Sequence, residues 1–292
     1  MAVIATGFFD GVHLGHRRVI DTLVSLARSR GEASVVVTFW PHPRTVLQDG
    51  ARELRLLTSL QEKKEILHSL GVDRIEVLDF SREFSHLTAE EYLRAVVKEK
   101  LEGTAVVVGY DNRLGSDHCG PSEISALAEG LGLDCRIVER FGGDELKISS
   151  TSIRAALAEG RVEDAAKMLG REYMLHGVVV AGNRLGRTIG FPTANMQLYE
   201  PLKLLPGNGV YAVGVETLGG HFRGMCNIGL RPTVSSTSVR TVETNIFDFD
   251  EQIYGLDIRL SFTRKIRDER RFDSLEELKE QLIKDRQSCM EK

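Results

Sequence analysis

The chain has few cysteines and no pattern among them. Cys119, Cys135, Cys226 and Cys289 are scattered over 292 residues without a Cys-x-x-Cys pair. That spacing suggests neither a zinc site nor a disulfide framework, and it fits a reduced, cytoplasmic setting. No apolar run approaches the ~18 residues of a transmembrane helix. The short apolar run at the N-terminus follows no basic segment, so it reads as a core strand and not as a signal peptide. Basic charge is not in excess: 38 Lys and Arg stand against 42 Asp and Glu, a net charge of −4. A nucleic-acid partner, which needs a basic footprint, is therefore not expected. Internal repeats and low-complexity segments are absent. So is Gly-x-x-x-x-Gly-Lys-Ser/Thr, which excludes a Walker-type phosphate loop.

What remains is an ordinary globular composition, 42% hydrophobic and 27% charged, at a length suited to two domains. The first ~140 residues alternate apolar runs with helical patterns. Strands are expected at Val3–Gly7, Ser34–Phe39, Arg74–Leu78, Ala105–Gly109 and Cys135–Glu139. Val35–Val37 and Val106–Val108 are continuous apolar runs, as in parallel strands covered on both faces. Val19, Ile20, Leu23, Val24 and Ala27 share a helical face that Gly31 stops. Helices are also expected over Gln61–Leu70, Ala89–Glu99 and Ser122–Leu131. This is the α/β pattern of an open, doubly wound sheet, with ligands at the carboxyl ends of its strands.

Past residue ~170 short alternating strands replace this pattern: His176–Ala181, Val210–Val215, Arg223–Ile228, Thr241–Phe247 and Asp257–Phe262. They favour a small antiparallel barrel or sandwich. A closing helix follows, with Asp273 as its cap, Glu276 completing a capping box, and Leu275, Leu278 and Leu282 as its apolar stripe. The boundary is expected near Leu169–Arg171, giving domains 1–170 and 171–292.

The N-terminal chemistry centres on Gly7-Phe8-Phe9-Asp10-Gly11-Val12-His13-Leu14-Gly15-His16, where the first strand turns into the first helix. Backbone amides and the helix dipole favour phosphate there. Gly7, Gly11 and Gly15 let backbone approach a nucleotide, with Phe8 and Asp10 between them. His13 and His16 can donate to phosphate oxygens, and a charged imidazole stabilises a leaving pyrophosphate. Ser149, Ser150 and Thr151 open a second helix start of the same kind, and Arg154 in its first turn offers a planar fork to phosphate. The two motifs together look like a nucleotidylyltransferase site. Pro41 and Pro43 stiffen a loop in which Trp40 or Phe39 lines a flat ligand, and His42 either joins that surface or is held by the turn. Asp111, after the fourth strand, accepts from a ribose, steers Mg²⁺, or is a plain loop carboxylate.

In the C-terminal half, the stretch from Gly182 through Gly186, Thr188 and Gly190 to Pro192-Thr193-Ala194-Asn195 presents backbone amides to phosphate. Thr193 and Asn195 offer neutral oxygens to a hard cation such as Mg²⁺. Asn227–Thr233 follows, in which Arg231 either holds its loop or touches a ligand. Glu243, in a strand pattern between Val242 and Thr244, is the carboxylate type that phosphoryl transfer needs as a base.

Phe9–His16, Val37–Pro43 and Ile148–Arg154, in this order, resemble the N-terminal module of the bacterial bifunctional riboflavin kinase/FAD synthetase family. Gly182–Asn195, Asn227–Thr233, Val242–Phe249, Arg267–Glu269 and Phe272–Leu278 resemble its kinase module. The resemblance spans about residues 4–286. It implies a Rossmann-like adenylyltransferase domain followed by a β-barrel riboflavin kinase domain with a closing helix. It implies ATP and riboflavin or FMN as substrates, FAD as product, and Mg²⁺ as cofactor held by Thr193 and Asn195. It makes Glu243 the base for the riboflavin 5′-hydroxyl, His13, His16 and Arg154 the adenylyl-transfer residues, and Trp40, His42, Pro43, Asp111, Asn227 and Arg231 flavin contacts. The chain departs from the family at Asn112 and Leu114, where aromatic residues are usual.

Overall fold

Four consecutive buried residues, Ala2 to Ala5, open the chain and set the centre of its first sheet. A computed structural model describes residues 1–47, 54–140, 148–182, 185–231 and 239–291. In chain order the first half contains β1 (Ala2–Thr6), α1 (Leu14–Arg30), β2 (Ala33–Trp40), α2 (Pro43–Leu47), α3 (Leu60–Ser69), β3 (Arg74–Asp79), α4 (Ala89–Tyr92), β4 (Gly103–Gly109), α5 (Pro121–Gly130) and β5 (Asp134–Val138). The strands form one sheet of order β3-β2-β1-β4-β5, parallel throughout. The order reverses between β1 and β4, which is where an open α/β sheet offers its ligand crevice.

Helices cover both faces. Val3, Ala5, Val36 and Val107 pack with Leu23 of α1 and Leu67 of α3, while Ile4, Val35, Val37 and Val106 pack on the other side with Leu93 and Ile124. α1 buries the five residues its spacing predicts and ends at Gly31 in the left-handed region, φ 66°. α4 departs from expectation: a regular helix gives way to π-helix over Leu93–Lys100. Leu114 is 9% exposed and belongs to the second core face. One of the two departures from the family pattern is thus a core position.

The second half contains α6 (Ser150–Ala158), α7 (Val162–Leu169), β6 (Tyr173–Val180), α8 (Leu185–Thr188), β7 (Ala194–Leu198), β8 (Gly209–Thr217), β9 (Gly220–Arg231), β10 (Val239–Ile246), β11 (Asp257–Arg267) and α9 (Leu275–Met290). Its six strands close into an antiparallel barrel, β10-β7-β6-β11-β8-β9. The chain divides by its internal contacts into Met1–Ser150 and Thr151–Lys292. Within the second unit α7 lies against β6 and β11, and the Gly207 amide donates to the Leu157 carbonyl of α6 at 2.7 Å.

The closing helix begins one residue later than predicted. Ser274, not Asp273, is the N-cap and accepts from the Glu277 amide at 3.1 Å, so the third helical position is Glu277 and not Glu276. Asp-Ser and Glu-Glu are tandem pairs in which either member satisfies the capping spacing. The predicted stripe is also uneven. Leu282 packs with Phe191, Val210 and Met225, but Leu275 is 47% exposed. The helix is held instead by ions. Arg267 clasps Asp285, itself 1% exposed, through Nε at 3.0 Å and Nη2 at 2.8 Å. Arg264 and Arg223 donate to the carbonyls of Ser288 and Cys289 in its last turn.

Candidate active sites

The turn after β1 is built from unusual backbone. Phe9 and Val12 have φ of 49° and 39°, and Gly11 has 80°. Non-glycine residues in this region persist only where the surroundings over-determine them. Here the segment before α3 does so. The Asp10 carboxylate, 3% exposed, accepts from the Leu57 and Thr58 amides at 3.0 and 3.1 Å, and the Gly11 amide donates to Thr58 Oγ1 at 3.1 Å. Asp10 therefore braces the turn with its side chain. The Ser150 hydroxyl donates to the Asp10 carbonyl of the same turn at 3.1 Å.

His13 caps α1, with Nδ1 accepting from the His16 amide at 3.3 Å. In that role its ring proton sits on Nε2. The His13 and His16 rings stack at 3.6 Å, and a Cβ on Gly15 would come within 3.2 Å of the His13 ring. His16 Nδ1 is buried with no partner among the described residues. Burial first, then the charges of His13 and Lys63, hold the His16 pKa well below 6.5. Before ligand arrives His16 is a neutral imidazole, not the charged one that a leaving pyrophosphate draws on.

Phe8 packs edge-on against His42 at 3.9 Å, which ties the proline loop to the turn. Trp40 and Pro43 flank that loop, both half-buried. Phe39 points into an aromatic cluster with Phe80, Phe84 and Tyr92. Asp111 is exposed at the carboxyl end of β4, and a Cβ on Gly109 would lie 3.6 Å from its Oδ1. Ser149 is half-buried; Thr151 is exposed and Arg154 half-buried on α6. The sequence reading passed over Lys63. It is 1% exposed, and its ammonium donates to the Phe8 carbonyl at 2.7 Å and to Thr38 Oγ1 at 3.2 Å. The signal was available: Lys63 shares the buried face of α3 with Ile66 and Leu67, where a charged residue needs a polar partner.

In the barrel, three predicted residues fall in one transverse row. Glu243 on β10 stands opposite Asn195 on β7 and, on its other side, opposite Asn227 on β9. Residues opposite one another across strands present their side chains on the same face, about 4.5–5.5 Å apart at Cβ. A Cβ on Gly182 would meet Asn195 Nδ2 at 2.2 Å, so the glycine makes room for the amide. At Gly186 a Cβ would meet the Phe191 carbonyl at 2.2 Å, whereas Gly190 serves a left-handed φ of 85°. Thr188 is exposed at the end of α8. Asn183 and Arg184 of this stretch, and Pro232 and Thr233 beyond Arg231, lie outside the described residues; Arg231 ends β9.

A cavity of about 270 Å³ is lined by Thr193, Thr244, Arg187, Val179, Phe249 and Tyr254 among others but by none of the three residues of the row, since Thr244 alternates with Glu243 along β10 and faces the other side. Thr193 is the one site residue predicted there. The Asp250–Tyr254 wall escaped the sequence reading because it is irregular chain just beyond the Val242–Phe249 stretch. Thr193 Oγ and Asn195 Oδ1 are neutral hard oxygen donors, the type that suits Mg²⁺. Among the described residues no group of three or more His, Cys, Asp or Glu could hold a metal ion. A Mg²⁺ here would thus take most of its ligands from nucleotide phosphates and water, as is usual for that ion.

Known proteins resemble both halves. A sequence model of FAD synthetase matches residues 1–152 and one of riboflavin kinase matches residues 169–292. A bifunctional riboflavin kinase/FMN adenylyltransferase of Bacillus subtilis is 37% identical over 99% of this chain and 92% of its own length, and that of Escherichia coli K12 gives the same figures. A crystal structure from Streptococcus pneumoniae, described as a macrolide-efflux protein, superposes with a TM-score of 0.92 at 34% identity, covering 99% of this chain and 93% of that one. No helix among the described residues is long and apolar enough to cross a membrane.

Proposed function

The chain belongs to the bifunctional riboflavin kinase/FMN adenylyltransferase family, and from that premise we propose which of its residues perform the two reactions. The enzyme phosphorylates riboflavin with ATP to give FMN and ADP, and transfers an adenylyl group from a second ATP to FMN to give FAD and pyrophosphate. We assign the second reaction to residues 1–170 and the first to residues 171–292, working in the cytoplasm.

In the kinase, Glu243 takes the proton of the riboflavin 5′-hydroxyl as its oxygen attacks the γ-phosphorus of ATP. Asn227 and Arg231 hold the flavin, and the backbone around Gly182, Gly186, Thr188 and Gly190 holds the phosphates. Thr193 and Asn195 hold Mg²⁺, which when bound offsets the charge of the phosphates. The observation that carries this reading is the row Asn195–Glu243–Asn227, which sets a carboxylate between two amides on one face of the barrel wall. Positioning and charge neutralisation suffice for such a transfer, without a covalent enzyme intermediate.

In the adenylyltransferase, the Gly7–Gly11 turn and the start of α1 border the triphosphate, joined by Ser149, Ser150 and Thr151. An FMN phosphate oxygen attacks the α-phosphorus, and His13, His16 and Arg154 stabilise the departing pyrophosphate by donating to its oxygens. Trp40, His42, Pro43 and Asp111 bound the flavin. The test is incubation of purified protein with riboflavin, ATP and Mg²⁺, followed by chromatography of the flavins. FMN should appear first and FAD after it, and chelation of Mg²⁺ should stop FMN formation. Riboflavin recovered unchanged would overturn the kinase assignment.

A further inference from the structure

Lys63 sits where nothing in the two assigned reactions requires a lysine. It is 1% exposed, on the first turn of α3, where it is buried together with Ile66 and Leu67 of the same helix. Burying an ammonium is unfavourable unless it is hydrogen-bonded. Its acceptors are the Phe8 carbonyl and Thr38 Oγ1, and the Thr38 hydroxyl itself donates to the same carbonyl at 3.2 Å. The ammonium also lies 3.9 Å from the Phe8 ring centroid, on a ring that meets His42 at 3.9 Å. One cation thus ties together the end of β1, the end of β2 and the proline loop.

We propose that Lys63 is a positioning residue for adenylyl transfer: by holding the Phe8 carbonyl down, it keeps the Gly7–Gly11 turn in its phosphate-accepting conformation. A planar trans peptide points its N–H opposite to its C=O. Tying the Phe8 oxygen toward α3 therefore aims the Phe9 amide away from α3 and removes a carbonyl oxygen from the path of an anion. The Asp10 carboxylate is braced by the Leu57 and Thr58 amides just before α3, so the turn is gripped at two points, the Phe8 carbonyl and the Asp10 side chain. Thr38 alone cannot replace the lysine, because a neutral hydroxyl gives a weaker bond than a charged donor. The fixed positive charge also adds favourable potential beneath the triphosphate.

The groups facing Lys63 are Asp10 from the turn, His16 from α1 and neutral Thr38 from β2. Burial pulls its pKa down from 10.5 to about 8, with Asp10 resisting the shift. The lysine is therefore charged at pH 7 and loses its proton within an assayable range.

The inference rests on the adenylyltransferase assignment above, and the test separates the two. Full-length Lys63→Met and Lys63→Arg are assayed for FAD formation from supplied FMN and for FMN formation from riboflavin. Lys63→Met should lower kcat for FAD formation by about ten- to a hundredfold, the range expected when a positioning contact is lost, with kinase turnover unchanged. Lys63→Arg should restore most of it. The alkaline limb of FAD formation, near pH 8 in the wild type, should move upward by a unit or more in Lys63→Arg, which a purely structural role would not produce. If Lys63→Met merely unfolds the first unit, the pH profile of Lys63→Arg decides: an unmoved limb overturns the inference. Wild-type kcat in Lys63→Met overturns it as well. A wild-type protein that makes FMN but no FAD would overturn the assignment and the inference together.

Discussion

Asn195 and Glu243 stand directly opposite each other where β7 pairs with β10. The pairing fixes the separation of the amide and the carboxylate through backbone hydrogen bonds, so neither depends on a loop for its place. Glu243→Gln keeps the shape and removes the base. FMN formation should fall by roughly 10²–10⁴-fold, while FAD formation from supplied FMN stays at the wild-type rate. Kinase turnover within a few-fold of wild type would sink the assignment.

Gly182 tests the same row from outside it. Gly182→Ala places a methyl group 2.2 Å from the present position of Asn195 Nδ2, and the buried amide must turn aside. The expected result is a raised KM for ATP–Mg²⁺ in FMN formation with FAD formation intact. Steady-state kinetics of both half-reactions on one preparation supply the comparison.

His16 makes the first unit acid-sensitive. Its native pKa lies well below the 6.5 of an unfolded histidine, so below pH 6.5 the unfolded chain takes up a proton that the native state refuses. Stability then rises with pH through the window that ends near 6.5 and is lost as pH falls through it. Between pH 7 and pH 5, His16→Asn should lose less stability than wild type in urea titrations monitored on the first unit. It should also accumulate FMN without converting it to FAD. Identical pH slopes for the two proteins would show that the ring is not held neutral.

Asp285→Ala should release α9. Removing one partner of a buried pair leaves the other charge uncompensated, at a cost of about 3–5 kcal/mol. Arg267 would lose its bidentate partner, and Gln281 its acceptor at 2.7 Å. Denaturant unfolding of the barrel unit should shift accordingly, with FMN formation lost and FAD formation from FMN kept.

A truncation follows from the way α6 and α7 pack. A fragment starting at Thr151 should fold and phosphorylate riboflavin. One starting at Arg171 forfeits the Leu157–Gly207 bond and the α7 contacts with β6 and β11, so it should melt at a lower temperature. Circular dichroism of the two fragments measures the difference, and equal melting temperatures would refute it.

Much of this was legible in the sequence because strands and phosphate turns carry local signals. Val35–Val37 and Val106–Val108 announced buried parallel strands, and Gly31 announced the end of α1. What escaped depended on long-range partners. β7 was hidden because its first residues, Ala194 and Asn195, close a glycine-rich stretch, and only pairing with β6 and β10 makes them a strand. The row around Glu243 could not be read either, since register is set by neighbouring strands. Leu275, Leu278 and Leu282 have the spacing of an apolar stripe, yet Leu275 is exposed, and Arg267, Arg264 and Arg223 bond the helix alongside Leu282 and Cys289. Asp10 reads as a ligand group from its motif and is a brace in the fold, because its partners, Leu57 and Thr58, lie 47 and 48 residues away.

The closure of the six-stranded barrel has a consequence for how the protein behaves at high concentration. β10 bonds to β9 on one side and β7 on the other, and every strand of the ring likewise has two neighbours. Among the described residues the closed ring therefore has no edge strand for a second copy to extend. Runaway strand addition, the common route from a β-rich domain to insoluble fibres, lacks a starting edge there unless the ring first opens.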